Sequence, residues 1–342
     1  MTRATVLVGV ALLASLILHP GVTAAPVLVE RTLYLMGTRA TLRVEAFDRA
    51  AGLRQLDRMV RSLERTEATL STWRDESELG RLNRHPVGQP FALGPEVCEL
   101  WPTLARWQQA TDGAFDPAVG ALIDAWGLRD SGRRPSPERL AQALAVSGFA
   151  HFAFELGPAG CRLTRTADVT IDAGAFGKGE ALRRLQVEME SDVVWLVDLG
   201  GQVAVSTAAR GWPVAIGHPV ERHHPVSEVV LESGSLATSG ASERTFSVEG
   251  GPIAHIVDPR TGQALYRPES VTVWHQDPLV ADILSTALYV MAPTAALQFA
   301  ESHGLAVVVQ APSDAATGAS ATARVATAFA RRFPGIGAVP GD

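Results

Sequence analysis

The stretch Asp168-Val-Thr-Ile-Asp172-Ala-Gly174-Ala175-Phe-Gly177-Lys178-Gly179-Glu-Ala-Leu-Arg183 constrains this chain more than any other. Val169, Thr170 and Ile171 are β-branched and read as the end of a strand. Gly174, Gly177 and Gly179 then crowd together, and Ala181, Leu182, Leu185 and Met189 follow at helical spacing. A strand, a glycine turn and a helix start make an anion cradle, because glycine lets backbone amides approach a ligand and a first helical turn has free N–H groups. Lys178 adds a full positive charge there, and Asp172 offers a carboxylate on the strand side. The segment is not a nucleoside-triphosphatase phosphate loop, since Asp172 and Gly179 stand where Gly and Ser or Thr are required. Its glycine spacing also fails the dinucleotide fingerprint. The bland alternative is an ordinary strand-to-helix turn with a solvated lysine.

A chain of 342 residues with 46% hydrophobic residues can bury a large core, and its net charge of −6 excludes the basic stripe of a nucleic-acid binder. Arg3, the apolar run Ala4–Leu18 and the small residues Val22-Thr-Ala24-Ala25 describe an export signal over residues 1–25. The run is shorter than the ~20 apolar residues that span a bilayer. Cleavage after Ala24 or Ala25 is expected, with an uncleaved anchor as the alternative, and the mature chain is expected in the periplasm. No Cys lies near that site for lipid attachment. Cys98 and Cys161, the only cysteines, could pair in an exported protein. Cys98 also fits the buried face of a helix, and two independent thiols are the favoured reading.

Residues 26–342 are expected to form one domain, with two subdomains as a variant. Leu33–Val44 reads as one strand interrupted at Gly37, and Met36 there reads as core filler. Asp48 caps a helix with Leu53, Leu56, Val60 and Leu63 on one stripe. Trp73, in a polar loop, either plugs the core or lies against a flat ligand. A helix from Pro95 stops at Thr111-Asp112-Gly113, and Ala114-Phe115-Asp116-Pro117 then forms a fixed turn expected to expose the Asp116 carboxylate. Ala118–Gly127 reads as a short helix, and another runs from Ser136-Pro137 to Gly148. From Val193 to Val273 short strands alternate with turns, which favours antiparallel pairing and an α+β fold. Helices Pro278–Met291 and Thr294–His303 and the strand Leu305–Val309 follow. The Ala/Thr/Ser/Gly tail after about 311 is expected to have a poorly ordered interior.

In the Pro278–Met291 segment Asp282 and Thr286 share a helix face, and Ser285 lies three residues from Asp282. A carboxylate and hydroxyls in an apolar helix need a partner. A hard divalent cation such as Mg²⁺, which prefers oxygen ligands, would supply one. Local capping by Asp282 and a back-bond from Thr286 is the simpler alternative.

Taken in order, the pieces form a specific set: Met36-Gly-Thr38, Ser71-Thr-Trp73 with Ser77-Glu-Leu and Leu82-Asn83, Thr111-Asp-Gly-Ala-Phe-Asp-Pro117 and Asp172-Ala-Gly-Ala-Phe-Gly-Lys-Gly179. Asp198-Leu-Gly-Gly201, Ala237-Thr-Ser-Gly240, His255-Ile-Val-Asp-Pro-Arg-Thr-Gly262 and Ala281-Asp-Ile-Leu-Ser-Thr286 complete it. From about Leu33 to Val309 the chain resembles the ApbE family of FAD:protein FMN transferases. The resemblance implies a T-fold-like α+β architecture with antiparallel sheets and packed helices. It also implies Mg²⁺-dependent transfer of FMN from FAD to a Ser or Thr hydroxyl of an exported redox acceptor protein, with release of AMP. By position it marks Met36, Trp73, Ala114, Phe115, Asp116, Asp172, Lys178 and Ile256 as FAD contacts. The Ala175 carbonyl with Asp282, Ser285 and Thr286 would be the metal site, and His255 the general base. A histidine, titrating near neutrality, suits that last role. Ala173, Phe176 and Gly177 stand where the family usually has Leu, Ile and Ala, Ser242 where Tyr is common, and Gln202 where Asn is frequent. An Mg²⁺-dependent FAD pyrophosphatase and a non-catalytic flavin carrier are the competing functions. Membrane association is expected only through an uncleaved leader or the acceptor.

Overall fold

The computed structural model describes residues 25–158, 160–207, 210–313 and 321–336. The export segment and the interior of the Ala/Thr/Ser/Gly tail lie outside the described residues, apart from Ala25. The frame is an eight-stranded sheet in the order Val27–Leu35, Thr38–Ala46, Val194–Leu199, Gln202–Val205, Gly234–Gly240, Ser270–His275, Ala306–Pro312 and Ala321–Val325. Every neighbouring pair is antiparallel. The expected α+β architecture is therefore present, and Ala321–Val325, after the tail's interior, joins the sheet as an edge strand.

Period-two alternation decides what each face of this sheet carries. Val307 and Val309 enter the core under the Pro278–Met291 helix, while Ala306 and Val308 enter the core on the other side. Helices Arg49–Leu70, Gly177–Glu188 and Pro278–Met291 cover the first face. The hairpin of Trp212–Gly217 and Pro225–Leu231, with the helix Thr327–Arg332, covers the second through Val214, Ile216, Leu231 and Phe329. Pro278–Met291 is apolar nearly all round, and of Pro278 to Val290 only Thr286 is not buried. A helix of that kind belongs between layers.

Several boundaries differ from expectation for identifiable reasons. Leu33–Val44 is not one interrupted strand but part of a hairpin, because Met36 and Gly37 both take positive φ (51° and 72°) and make a two-residue turn. The helix beginning at Pro137 ends at Ala145, before Gly148. The short helix spans Gly120–Ala125 only. Asp48 and Ser136 cap as expected, accepting from Ala51 N (2.7 Å) and Arg139 N (3.2 Å).

Cys98 and Cys161 are not independent thiols. They form a disulfide between the helix Pro95–Ala110 and the strand Gly160–Arg165, with a Cα separation of 5.6 Å. The pairing was hidden because the chain, over a sequence separation of 63, folds back through Trp101, Phe149 and Phe152, whose rings bring that strand under the helix. Closing a loop of that length restricts the unfolded chain, typically worth ~2–4 kcal/mol. The Cys98→Ser/Cys161→Ser variant is expected to lose stability of that order in denaturant titration, and a reductant should lower the wild-type midpoint but not the variant's.

Candidate functional site

The Gly-rich segment sits at the junction of the first-face helices. Val169–Ile171 has no regular secondary structure and joins no sheet, contrary to the strand expected there. Its backbone is satisfied instead by a side chain and a loop. Ile171 N donates to Asn83 Oδ1 (2.8 Å) and Asn83 Nδ2 to the Ile171 carbonyl (2.9 Å), while Asp172 N donates to the Pro117 carbonyl (2.8 Å). The turn Gly174–Phe176 then feeds the helix Gly177–Glu188, whose start meets Pro278–Met291 at Gly179. A Cβ on Gly179 would lie 2.6 Å from both Asp282 Cβ and the Pro278 carbonyl oxygen, so only glycine permits this crossing.

That contact places Asp282 at a helix N-terminus. Asp282, 3% exposed, accepts from Gly179 N (2.8 Å) through one oxygen, and Lys178 Nζ lies 3.4 Å from the other. Burial pulls the Lys178 pKa down, but Asp282 and Glu243 outweigh it and the net shift is upward, so the ammonium stays charged. Ser285 Oγ donates to the Asp282 carbonyl (2.9 Å) and lies 2.9 Å from Ser239 Oγ, which is 3.3 Å from Thr286 Oγ1. The donors here are a carboxylate and hydroxyls, with the Ala175 carbonyl on the adjoining turn. An all-oxygen set fits a hard cation. Among the described residues no group of three or more His, Cys, Asp or Glu side chains is placed to hold a metal. Any ion here would therefore keep several ligands from water or substrate.

His255 lies just beyond the strand Gly251–Ala254, close enough to Lys178 and Asp172 for their charges to act on its ring. Its N–H donates to the Arg244 carbonyl (3.1 Å), and Nδ1 faces the same oxygen at 3.3 Å. Nε2 lies 3.7 Å from Glu243 Oε2. Burial and the nearby Lys178 charge lower the His255 pKa to about 4, so the ring is neutral at pH 7. Burial also raises Glu243 to about 7, against the opposing pull of Lys178 and Arg222. Ile256 and Val257 are both buried, in different apolar clusters, while the His255 side chain remains 31% exposed.

Trp73 and Asp172 are linked through Arg129. Trp73 is 64% exposed, so it does not plug the core. Arg129 lies over its ring at 5.3 Å and donates to Asp172 Oδ2 (2.8 Å), whose other oxygen accepts from Gly174 N (2.9 Å). Met36 approaches Gly177 from the hairpin turn, held by its N–H to Glu67 Oε1 (3.2 Å).

The expected exposure of Asp116 is overturned. Its carboxylate is buried, accepting from Ala118 N (2.8 Å), Phe149 N (3.0 Å) and Gln108 Nε2 (3.3 Å), and burial raises its pKa. It holds its own turn together. Ala114, Phe115 and Ile256 also point into the core, so any ligand contact from them comes through the backbone. Sequence reasoning passed over Glu243, Arg222 and Arg129. Glu243 follows the Thr238-Ser-Gly240 piece closely, but nothing in the chain flagged Arg129, whose partners lie 43 and 57 residues away.

The sequence model of the ApbE family matches residues 36–309. The FAD:protein FMN transferase of Klebsiella pneumoniae is 30% identical over 285 residues, covering 80% of this chain and 81% of that protein. The enzyme of the same name from Vibrio cholerae is 29% identical over 272 residues, covering 76% and 79%. Among solved structures, the ApbE protein of Thermotoga maritima superposes with a TM-score of 0.79 at 26% identity, covering 90% of this chain and 99% of that one. The flavin transferase ApbE from Vibrio cholerae gives 0.75 at 25%, covering 90% and 100%.

Proposed function

This chain belongs to the ApbE family, and we propose that it is an FAD:protein FMN transferase. The observation that carries the reading is the meeting of Lys178, Asp282 and the Gly177–Glu188 N-terminus, with His255 near enough for the Lys178 charge to act on its ring. The first group suits a pyrophosphate, since a helix N-terminus and an ammonium both favour negative charge. The second suits a hydroxyl proton. A neutral imidazole whose Nδ1 faces the Arg244 carbonyl carries its hydrogen there, leaving the Nε2 lone pair free.

In the proposed step an acceptor Ser or Thr oxygen attacks the FMN-side phosphorus of FAD. The P–O bond to the AMP phosphate breaks, its electron pair leaves on AMP, and the hydroxyl proton passes to His255 Nε2. Asp282, Thr286 and the Ala175 carbonyl would hold Mg²⁺, with Ser285 buttressing them through its bonds to Asp282 and Ser239. Mg²⁺, when bound, supplies charge neutralisation for the phosphates. Lys178 adds a fixed charge aimed at the same ligand, and Trp73 and Asp172 border the space for a ring.

The acceptor is proposed to be an exported redox protein and the site of action the periplasm. The leader sequence supports this, and so does the Cys98–Cys161 disulfide, a bond that persists in oxidising compartments. Among the described residues no helix is long and apolar enough to cross a membrane.

Incubation with FAD, Mg²⁺ and a Ser/Thr-bearing acceptor protein, followed by intact-mass measurement, tests the reading. An FMN-sized gain on the acceptor is expected, and AMP with free FMN alone would favour the pyrophosphatase. Lys178→Ala is expected to weaken FAD roughly ten-fold or more in flavin-fluorescence titration, the usual worth of one charge-assisted contact, and to weaken Mg²⁺ less. Unchanged FAD affinity would return Lys178 to a role within the Asp282 pair alone.

A further inference from the structure

Arg129 lies in no recognised motif, yet it joins Trp73, Asp172 and the backbone beside His255. Its guanidinium covers one face of the Trp73 ring at 5.3 Å. Nη2 donates to Asp172 Oδ2 (2.8 Å) and to Thr72 Oγ1 (3.4 Å), and Nη1 donates to the Thr72 carbonyl (3.3 Å). The backbone carbonyl of Arg129 accepts from Arg244 Nη2 (3.4 Å), and the Arg244 carbonyl is the one that faces His255. Nε is buried without a hydrogen-bond partner, and the Asp124 carboxylate is 3.7 Å away. A guanidinium fixed this fully by its fork has given up the freedom of a surface arginine.

Two features say what the arrangement presents. Trp73 remains 64% exposed although its loop is anchored through Thr72. A rigid indole backed by a cation on one side offers its other face for stacking. Beside it, Asp172 has each oxygen held by a donor, Arg129 on one and Gly174 N on the other, with lone pairs left for a ligand N–H. A flat heteroaromatic ring with N–H groups at its edge matches both surfaces, as one ring of FAD does.

We infer that Arg129 is a positioning residue that locks Trp73 and Asp172 into a preformed ring-binding shelf and so sets the affinity for FAD. This deepens the flavin-transfer reading and rests on it. Arg129 acts through its neighbours, so its loss costs ground-state binding and leaves the transfer step largely alone. Lysine would keep the charge but lose the planar stack and the fork, and so would not replace it.

The test measures FAD affinity by flavin fluorescence, and FMN transfer kinetics by acceptor mass, in the full mature protein. Arg129→Met and Arg129→Lys are each expected to raise the FAD Kd and KM about ten-fold or more, with kcat within about two-fold of wild type. Arg129→Met/Trp73→Ala should lose less than the sum of the two single losses, because Arg129 acts partly through Trp73. Additive losses in that double variant, or an unchanged Kd in Arg129→Lys with its thermal midpoint preserved, would overturn the inference. A fall in kcat at constant KM would also overturn it. Should wild-type protein fail to bind FAD at all, the flavin-transfer reading falls with it. A wild type that binds and transfers while the Arg129 variants behave normally leaves that reading standing and removes this one.

Discussion

Asp282→Asn is expected to abolish FMN transfer while the protein stays folded. The carboxylate does two jobs, and the substitution separates them. One oxygen accepts the Gly179 N–H at 2.8 Å, a capping bond that an amide oxygen can still accept. The other faces Lys178 at 3.4 Å and carries the charge a divalent cation would need. Asparagine keeps the cap and loses the charge. Losing one charge-assisted contact at a buried site costs about 1–3 kcal/mol, which a domain of this size survives. Asp282→Ala is the harsher change, because it also strands the Gly179 N–H against the helix crossing. Both variants should show no Mg²⁺-dependent transfer, and Asp282→Ala should melt at the lower temperature. Undiminished Mg²⁺-dependent turnover in Asp282→Asn would remove Asp282 from the metal site.

The reason Asp282 was legible while its surroundings were not is instructive. A carboxylate with a hydroxyl four residues on, inside a helix otherwise apolar from Pro278 to Val290, breaks a local pattern and so can be seen in one dimension. The Gly-rich turn is visible for the same reason. What the turn's backbone bonds to is not visible, because Asn83 and Pro117 reach it from distant parts of the chain. Asp116 misled because a pre-proline carboxylate in a turn looks solvent-facing, and only the folded chain supplies Phe149 N, Ala118 N and Gln108 to take it inward. The Cys98–Cys161 pair and the Arg129 network share that character. Local breaks of pattern located the site, and long-range contacts decided how each side chain is used.

His255→Asn separates binding from chemistry. The side chain contacts the Arg244 carbonyl and Glu243, not Lys178 or Asp282, so FAD and Mg²⁺ should bind the variant nearly as well as wild type. Asparagine can still approach the Arg244 carbonyl but cannot take a proton near neutrality. Removing a general base costs typically ~10²–10⁴-fold in rate, and that loss is expected in kcat rather than KM. Partial rescue should appear at high pH, where hydroxide removes the acceptor proton instead. A second readout follows from the lowered pKa of about 4. The unfolded chain binds a proton at this histidine below its ordinary value of 6.5, whereas the folded protein resists it until about pH 4. Protons therefore favour the unfolded state between those values, and stability falls as pH drops from about 6.5 to 4. His255→Asn should flatten that part of the acid limb in denaturant titrations. Equal losses of FAD affinity and rate would make His255 a ligand-holding residue. Full activity would take it out of the mechanism, even if the acid limb changed as described.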